Sequence, residues 1–340
     1  MKTMKAAYYT QYGAADVVKI KDIPRPELNG DEILVKVYAT SVNTADWRIR
    51  ASAFPLYAWL PGRLMFGLFA PKSKVLGADF AGRVVAKGSA VTRFKGGDAV
   101  FGFAGRGAHA EYLKISQAAA IEPMPSNLSY LEAAAVPFGA LSSLVFLRDF
   151  AKVEPGKSVL IYGASGGLGV FAVQLAKHFG ADVTGVCSTA NMDLVKSLGA
   201  DQVIDYSAED FSQNAKTYDV IIDTVGKVSF RNCKASLAPG GVFVPIEFKM
   251  REIIQLLITK IIGGKKVVVG ISQDRMEDLR YLADLLSRAE IRPVIDTVYP
   301  LGDIVPAHRR VESRHKTGSV VIAMPDHEIA SSRISAAELI

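Results

Sequence analysis

The chain has 340 residues, 49% hydrophobic and 22% charged, a composition that excludes a disordered chain and leaves apolar side chains enough for two cores. Its 40 basic and 34 acidic residues give a net charge of +6, but no aromatic-basic interleaving, zinc-finger spacing or long basic run accompanies it, so nucleic-acid binding is not expected as the main activity. Two cysteines, Cys187 and Cys233, are too few for a disulfide framework, and MKTMKAAYYT at the start lacks the apolar run of a secretory signal, so a reducing, cytoplasmic setting is expected.

In chain order, residues 33–39, 75–87 and 98–102 carry strand patterns separated by Pro, Gly and Asn, which predicts an all-β region over residues 1–125. Residues 54–70, FPLYAWLPGRLMFGLFA, are strongly apolar. Pro55, Pro61 and Gly62 interrupt them and Arg63 sits in their middle, so they cannot span a membrane. Placed outside regular elements, the segment reads as a core-covering loop or as an apolar substrate lid, with membrane contact as a third option. From Ser129 the pattern turns helical.

Residues 157–177, KSVLIYGASGGLGVFAVQLAK, are the most informative stretch. Residues 158–162 read as a buried parallel strand, and Leu168, Phe171, Ala172, Leu175 and Ala176 recur on one helix face. The turn between them, residues 163–169, lets a pyrophosphate approach backbone N–H groups at a helix N-terminus. Its best register is Ala164-x-Gly166-x-x-Gly169, with alanine in the first glycine position; a strand-helix packing turn without a ligand is the alternative. Strands at 182–187, 202–205 and 218–223 and a helix at 191–198 continue the alternation of a doubly wound sheet.

A fold specific for NAD places a carboxylate at the end of the second strand, roughly twenty residues past the turn. Here the run is Cys187-Ser188-Thr189-Ala190-Asn191. With no carboxylate in it, and with Ser188 and Thr189 able to donate to a 2′-phosphate, NADP(H) is favoured over NAD(H). Residues 253–262, IIQLLITKII, form an apolar helix for core or subunit contact, too short to span. The nucleotide unit runs on to a strand at 267–271. A helix at 276–288 then leads to strands at 294–299 and 319–324, which return to the first domain. The expected division is 1–125, first part of a catalytic domain; 126–272, dinucleotide-binding domain; 273–325, return to the catalytic domain; and 326–340, a mobile tail.

Several phrases go further together than any does alone: SVNTADWRIR (41–50), VLGADFAGRVVAKG (75–88), VTRFKGGDAVFGF (91–103), GAHAEYLKI (107–115), the GASGGLG turn, SLGADQVIDY (197–206) and AHRRVES (307–313). On these, and over nearly everything up to Met324, the chain resembles the zinc-free, quinone oxidoreductase-like branch of the medium-chain dehydrogenase/reductase superfamily. The resemblance implies an α/β chain: a GroES-like, β-rich catalytic domain plus a Rossmann doubly wound parallel-sheet domain. Zinc members place cysteine where Asn43 stands and Gly-His-Glu where Gly77-Ala78-Asp79 stands, and often add a four-cysteine lobe. Residues 1–125 contain His109 and no cysteine, whereas zinc needs about four N, S or O ligands, so no metal is expected. His109 stands where the family usually has tyrosine; it, His308 and His315 are expected to be structural.

By the same resemblance, Ser165, Gly166, Gly167 and Leu168 would meet the pyrophosphate, Tyr206 the adenine-ribose end, Ser142 the nicotinamide side, and the backbone of Val269 to Ile271 the carboxamide. Relatives often have Arg or Lys where Ala190 stands, which removes the strongest phosphate clamp. Without a Lewis acid, hydride transfer is easiest to an acceptor that delocalises the arriving charge, a quinone or an α,β-unsaturated carbonyl. Asn43 matches the branch's asparagine beside the nicotinamide, where its amide donates to substrate oxygen or orients a water; satisfying the loop backbone is its alternative role. Arg48 is always charged and could stabilise an enolate or a cofactor phosphate. Tyr57 is a candidate proton donor ranked no higher than water. A small apolar quinone or enone is the expected substrate, and a reductase with a specialised biosynthetic substrate or a non-enzymatic cofactor- or RNA-binding protein of the same fold are the alternatives. A homodimer is expected through an edge strand at 267–270 and the apolar helix before it.

Overall fold

The computed structural model describes residues 2–325; the stretch 326–340, expected to be a tail, lies outside the described residues. Contacts divide the chain into two compact units. One contains residues up to Phe138, Arg275–Ser287 and the chain from Ile295 on; the other contains Gly139–Asp274 and Arg288–Val294.

The first unit is built around the strand Glu32–Val42, whose alternating Ile33, Val35, Val37 and Ala39 are all buried, the period of two that a half-buried strand requires. It pairs antiparallel with Asp79–Lys87, with Tyr112–Ser116 and with the late strand Ser319–Ala323, so the C-terminal chain completes a seven-stranded sheet. Phe80, Val84, Val100, Ile121, Val320 and Ile322 fill the core beneath it. The strand expected at 75–87 begins only at Asp79, because Gly77 turns the chain with φ +92°.

Residues 54–70 overturn the expectation of a core-covering loop outside regular structure. Leu56–Phe66 is a helix, and none of its residues is buried. Pro55 stands at its N-cap, where the proline φ suits a helix start. Gly62 lets the Phe54 ring pack closely, a Cβ there lying 2.8 Å from that ring, and Phe54 stacks on Phe66 at 5.7 Å.

The second unit carries a six-stranded parallel sheet in the order Gln202–Asp205, Asp182–Cys187, Ser158–Tyr162, Tyr218–Asp223, Leu237–Pro245, Lys266–Val267. In sequence rank this is 3-2-1-4-5-6, and the order reverses beside Ser158–Tyr162, the place where such sheets bind dinucleotides. The expected strand at 267–271 is only Lys266–Val267. Beyond it the backbone is drawn onto Phe150, where a Cβ on Gly270 would stand 2.1 Å from the ring. Among the described residues, no helix is long and apolar enough to cross a membrane.

Candidate active site

In the first unit, Asn43 ends the central strand's run and caps the helix Thr44–Ala51. Its Oδ1 accepts from the backbone N–H groups of Ala45 (2.9 Å) and Asp46 (3.1 Å), and Asp46 Oδ2 accepts from Asn43 N–H (3.0 Å), a reciprocal capping box. The amide is thereby oriented: its Nδ2 donates to Asp79 Oδ2 at 3.2 Å. Asp79 also accepts from the Ser41 hydroxyl and, through Oδ1, from Phe138 N–H at 2.9 Å. Asn43 is 6% exposed and Asp79 2%. Burial pushes the Asp79 carboxyl up to about 7, the nearby Asp46 carboxylate adding to the rise while the Ser41, Asn43 and Phe138 donors oppose it.

Asp46 and His109 pack around Gly77 beside this cluster. Asp46 Oδ1 accepts from Gly77 N–H at 2.9 Å, and Gly77 is required there, because a Cβ would lie 2.4 Å from the His109 ring. His109 is fully buried, and its Nε2 lies 2.9 Å from the Ser41 carbonyl, which calls for the Nε2-protonated tautomer. It meets His308 edge-on at 5.8 Å; burial, then His109 and Arg50, hold His308 well below the ordinary imidazole range. Tyr57 lies half-buried in the helix Leu56–Phe66, and Arg48 half-buried in the capped helix.

In the second unit, the glycine turn divides its labour. Gly163 has φ +81°, and a Cβ on Gly169 would lie 2.1 Å from the Gly163 carbonyl, so these two close the strand onto the helix Gly169–His178. A Cβ on Gly166 would meet only the Gly163 oxygen at 3.4 Å, so the space above Gly166 is open. No side chain caps that helix at Leu168. An open glycine cradle at an uncapped helix N-terminus fits a dinucleotide pyrophosphate. Behind it, Ser143 Oγ donates between the carbonyls of Gly139 (2.7 Å) and Leu168 (2.9 Å), beside the buried Ser142.

The expected ribose end is assembled by a residue that the sequence reading left without a role. Asn191 Nδ2 donates to both Ser165 Oγ (3.1 Å) and Ser188 Oγ (3.2 Å), joining the turn to the end of the second strand. The absence of a carboxylate there needs correction: the neighbouring strand, with Asp205 opposite Cys187, brings one in. The Thr189 hydroxyl donates to Asp205, and that bond, with Ser207 N–H, holds the carboxyl below its ordinary range. Tyr206 is half exposed and lies against Tyr162 with ring centroids 6.4 Å apart. Val269 packs partly on this unit's core, whereas Ile271 is 78% exposed. Asp79, Ser41, Asn191 and Asp205 are the residues that sequence reasoning missed; only Asp79, standing where a zinc ligand would be, carried a signal.

Residues 29–126 match the alcohol dehydrogenase GroES-like domain family, and residues 198–322 match the zinc-binding dehydrogenase family. A chloroplastic quinone-oxidoreductase homolog of Spinacia oleracea is 32% identical over 335 residues, covering 94% of this chain and 98% of the other. The NADPH-dependent alkenal/one oxidoreductase of Arabidopsis thaliana is 30% identical over 341 residues, covering 94% and 80%. The quinone oxidoreductase structure from Coxiella burnetii superposes with a TM-score of 0.83 at 32% identity, covering 95% of this chain and 99% of that one. The zinc that the second family's description implies finds no fitting donor set at the counterpart positions. The Asn43 oxygen is taken by two backbone N–H groups, Ala78 has no donor, and both Asp79 oxygens accept hydrogen bonds. Matched at this identity over nearly the whole of both chains, the protein belongs to the quinone oxidoreductase-like branch of the medium-chain dehydrogenase/reductase superfamily, a group of NAD(P)H-dependent oxidoreductases.

Proposed function

We propose that the protein is a zinc-independent reductase of quinones or α,β-unsaturated carbonyls that prefers NADPH to NADH. The observation that carries this reading is the commitment of Asn43 and Asp79 to each other and to backbone and hydroxyl donors, where a metal-dependent relative would need free ligands. When bound, the dinucleotide supplies a hydride from its nicotinamide C4. The acceptor must then delocalise the arriving charge, as a quinone or conjugated carbonyl does. The Asn43 nitrogen carries two N–H bonds; one points to Asp79, and the second is assigned to the acceptor oxygen or to a water beside it. Tyr57 ranks no higher than water as the proton donor. Ser188 and Asn191 at the strand end, and the relative named as NADPH-dependent, support the cofactor preference. Asp205 limits it.

The test is NADPH oxidation against a panel of quinones, enals and enones, with product analysis and elemental analysis of the protein. Turnover that survives chelator without stoichiometric zinc is expected. Cofactor binding without turnover on any acceptor, together with salt-sensitive RNA binding, would replace the reading by a non-enzymatic one.

A homodimer belongs to the same proposal. The helix Met250–Ile262 exposes Ile254, Leu257, Ile258, Ile261 and Ile262 on an apolar face. The two-residue strand Lys266–Val267 gives little edge to pair. Proline at Val268 is a poor test, since Val268 N–H bonds to the Phe243 carbonyl within the chain (2.9 Å). Ile258→Asp with Ile261→Asp tests the helix face instead: light scattering at micromolar concentration should show a dimer mass for the parent and a monomer mass for the variant. The buried free thiols of Cys187 and Cys233 suit the proposed cytoplasmic setting.

A further inference from the structure

The helix Leu56–Phe66 and the turn after it carry an exposed apolar surface apart from the half-buried Tyr57 that the reductase reading considers. Leu56 is 94% exposed and Phe69 89%, and Trp59, Leu60, Leu64 and Met65 are exposed with them. An isolated surface leucine needs no explanation, but six large apolar side chains within fourteen residues form a patch. The patch is built rather than loose. The Tyr12 hydroxyl donates to the Gly67 carbonyl at 2.7 Å, and the Phe54 and Phe66 rings stack beneath.

The charge of the segment that carries it has one sign. Between Asp46 and Asp79 the chain has no Asp or Glu, whereas it has Arg48, Arg50, Arg63, Lys72 and Lys74. Arg50 is buried against Glu312 and does not count toward the surface. Three of the others are pinned at the patch by hydrogen bonds to its own carbonyls. Arg63 Nε donates to Leu68 O (2.8 Å), Lys72 Nζ to Leu64 O (2.8 Å) and Lys74 Nζ to Pro71 O (2.7 Å). The Arg63 guanidinium also lies over the Tyr12 ring at 4.0 Å and near the Trp59 ring at 5.5 Å.

Leucine, tryptophan and phenylalanine beside fixed cations, without a carboxylate in the segment, are the elements of an interfacial anchor. A second copy of the chain is a poor occupant, since self-pairing would set Arg63 and Lys72 against their own counterparts. We propose that this surface docks on an anionic lipid bilayer, its leucines and aromatic rings entering the headgroup boundary and its cations facing lipid phosphates and carboxylates. The inference goes beyond the reductase reading and does not rest on it; its consequence is to hold the protein where lipid-dissolved acceptors reside.

The test is sedimentation of the full chain with vesicles of phosphatidylcholine alone or mixed with phosphatidylserine. The chain should sediment with the mixed vesicles, bind neutral ones roughly tenfold less, and lose affinity at high salt. Lys72→Glu should weaken binding roughly tenfold. Leu56→Ser with Leu60→Ser and Phe69→Ser should abolish it at an unchanged melting temperature, because all three side chains are exposed. Trp59 emission should shift to the blue with vesicles, a shift missing from Trp59→Phe. Absence of sedimentation overturns the proposal. So does sedimentation that the triple variant leaves intact, and so does a triple variant that changes only the oligomeric mass or only turnover.

Discussion

The glycine turn of the second unit and the Asn43-Asp79 cluster of the first are built on opposite principles. At the turn the recognising atoms are backbone N–H groups, and the residues matter for lacking side chains: Gly163 and Gly169 for closeness, Gly166 for open space. In the cluster the groups are the side chains of Ser41, Asn43 and Asp79, satisfied by one another and by the Phe138 N–H, so any one removed leaves buried polar atoms unpaired. A site made of backbone tolerates sequence change everywhere except where a side chain would intrude. A site made of buried side chains fails by disorder of its partners.

The largest expected effect on cofactor binding tests the turn. Gly166→Val places a branched side chain in the open space above the helix N-terminus, and NADPH affinity should fall by roughly a hundredfold, about 2.7 kcal/mol. The fold should persist, since a Cβ there meets nothing closer than 3.4 Å. Titration with both NADPH and NADH checks this; unchanged affinity for both would make the turn a packing device only.

What was legible in the sequence follows the same division. The turn, its strand and its helix are contiguous, so periodicity and glycine spacing display them, and the strands Asp182–Cys187, Gln202–Asp205 and Tyr218–Asp223 stand at their expected bounds. The cluster is not contiguous. Asp79 announced itself only as a missing zinc ligand, because its partners Ser41 and Phe138 reach it through sheet pairing and a distant helix start. Asp205 was hidden similarly: it ends the third strand in sequence, not the second, and only the parallel register with Cys187 brings it to the ribose end. The helix Leu56–Phe66 was obscured by Pro61 and Gly62, two residues that oppose a helix locally but that here sit in one braced by the Phe54 and Phe66 rings.

The cluster should fail through stability. Asp79→Leu strands the Ser41 hydroxyl, one Asn43 N–H and the Phe138 N–H, and about 3 kcal/mol should be lost in denaturant unfolding. Asp79→Asn keeps the shape and isolates the charge. The folded carboxyl sits near 7 against an ordinary 3.8, so the fold holds this proton more tightly than the unfolded chain does. Its contribution is complete below the ordinary value and is lost as pH rises toward about 7. Relative to Asp79→Asn, the parent should therefore lose stability from about pH 4 to about pH 7. Parallel curves for the two proteins across that window would show that Asp79 is not the titrating group.

The smallest effect sharpens the comparison where side chains and backbone meet, at the ribose end. Ser188, whose oxygen accepts from Asn191, can donate its hydroxyl toward a 2′-phosphate, and Asp205 opposes one from the adjacent strand while taking the Thr189 hydroxyl for itself. The balance is electrostatic and solvent-exposed, so each change should move a ratio rather than abolish binding. Ser188→Asp adds a second carboxylate and should shift the NADPH-to-NADH ratio of kcat/KM toward NADH by roughly tenfold. Asp205→Asn removes the repulsion and should shift the ratio the other way by a smaller factor, with salt narrowing both shifts. Both ratios come from initial rates on one acceptor. If Asp205→Asn moves the ratio toward NADH, the carboxylate orders Thr189 for the phosphate instead of repelling it, and Thr189→Ala should then reproduce the loss.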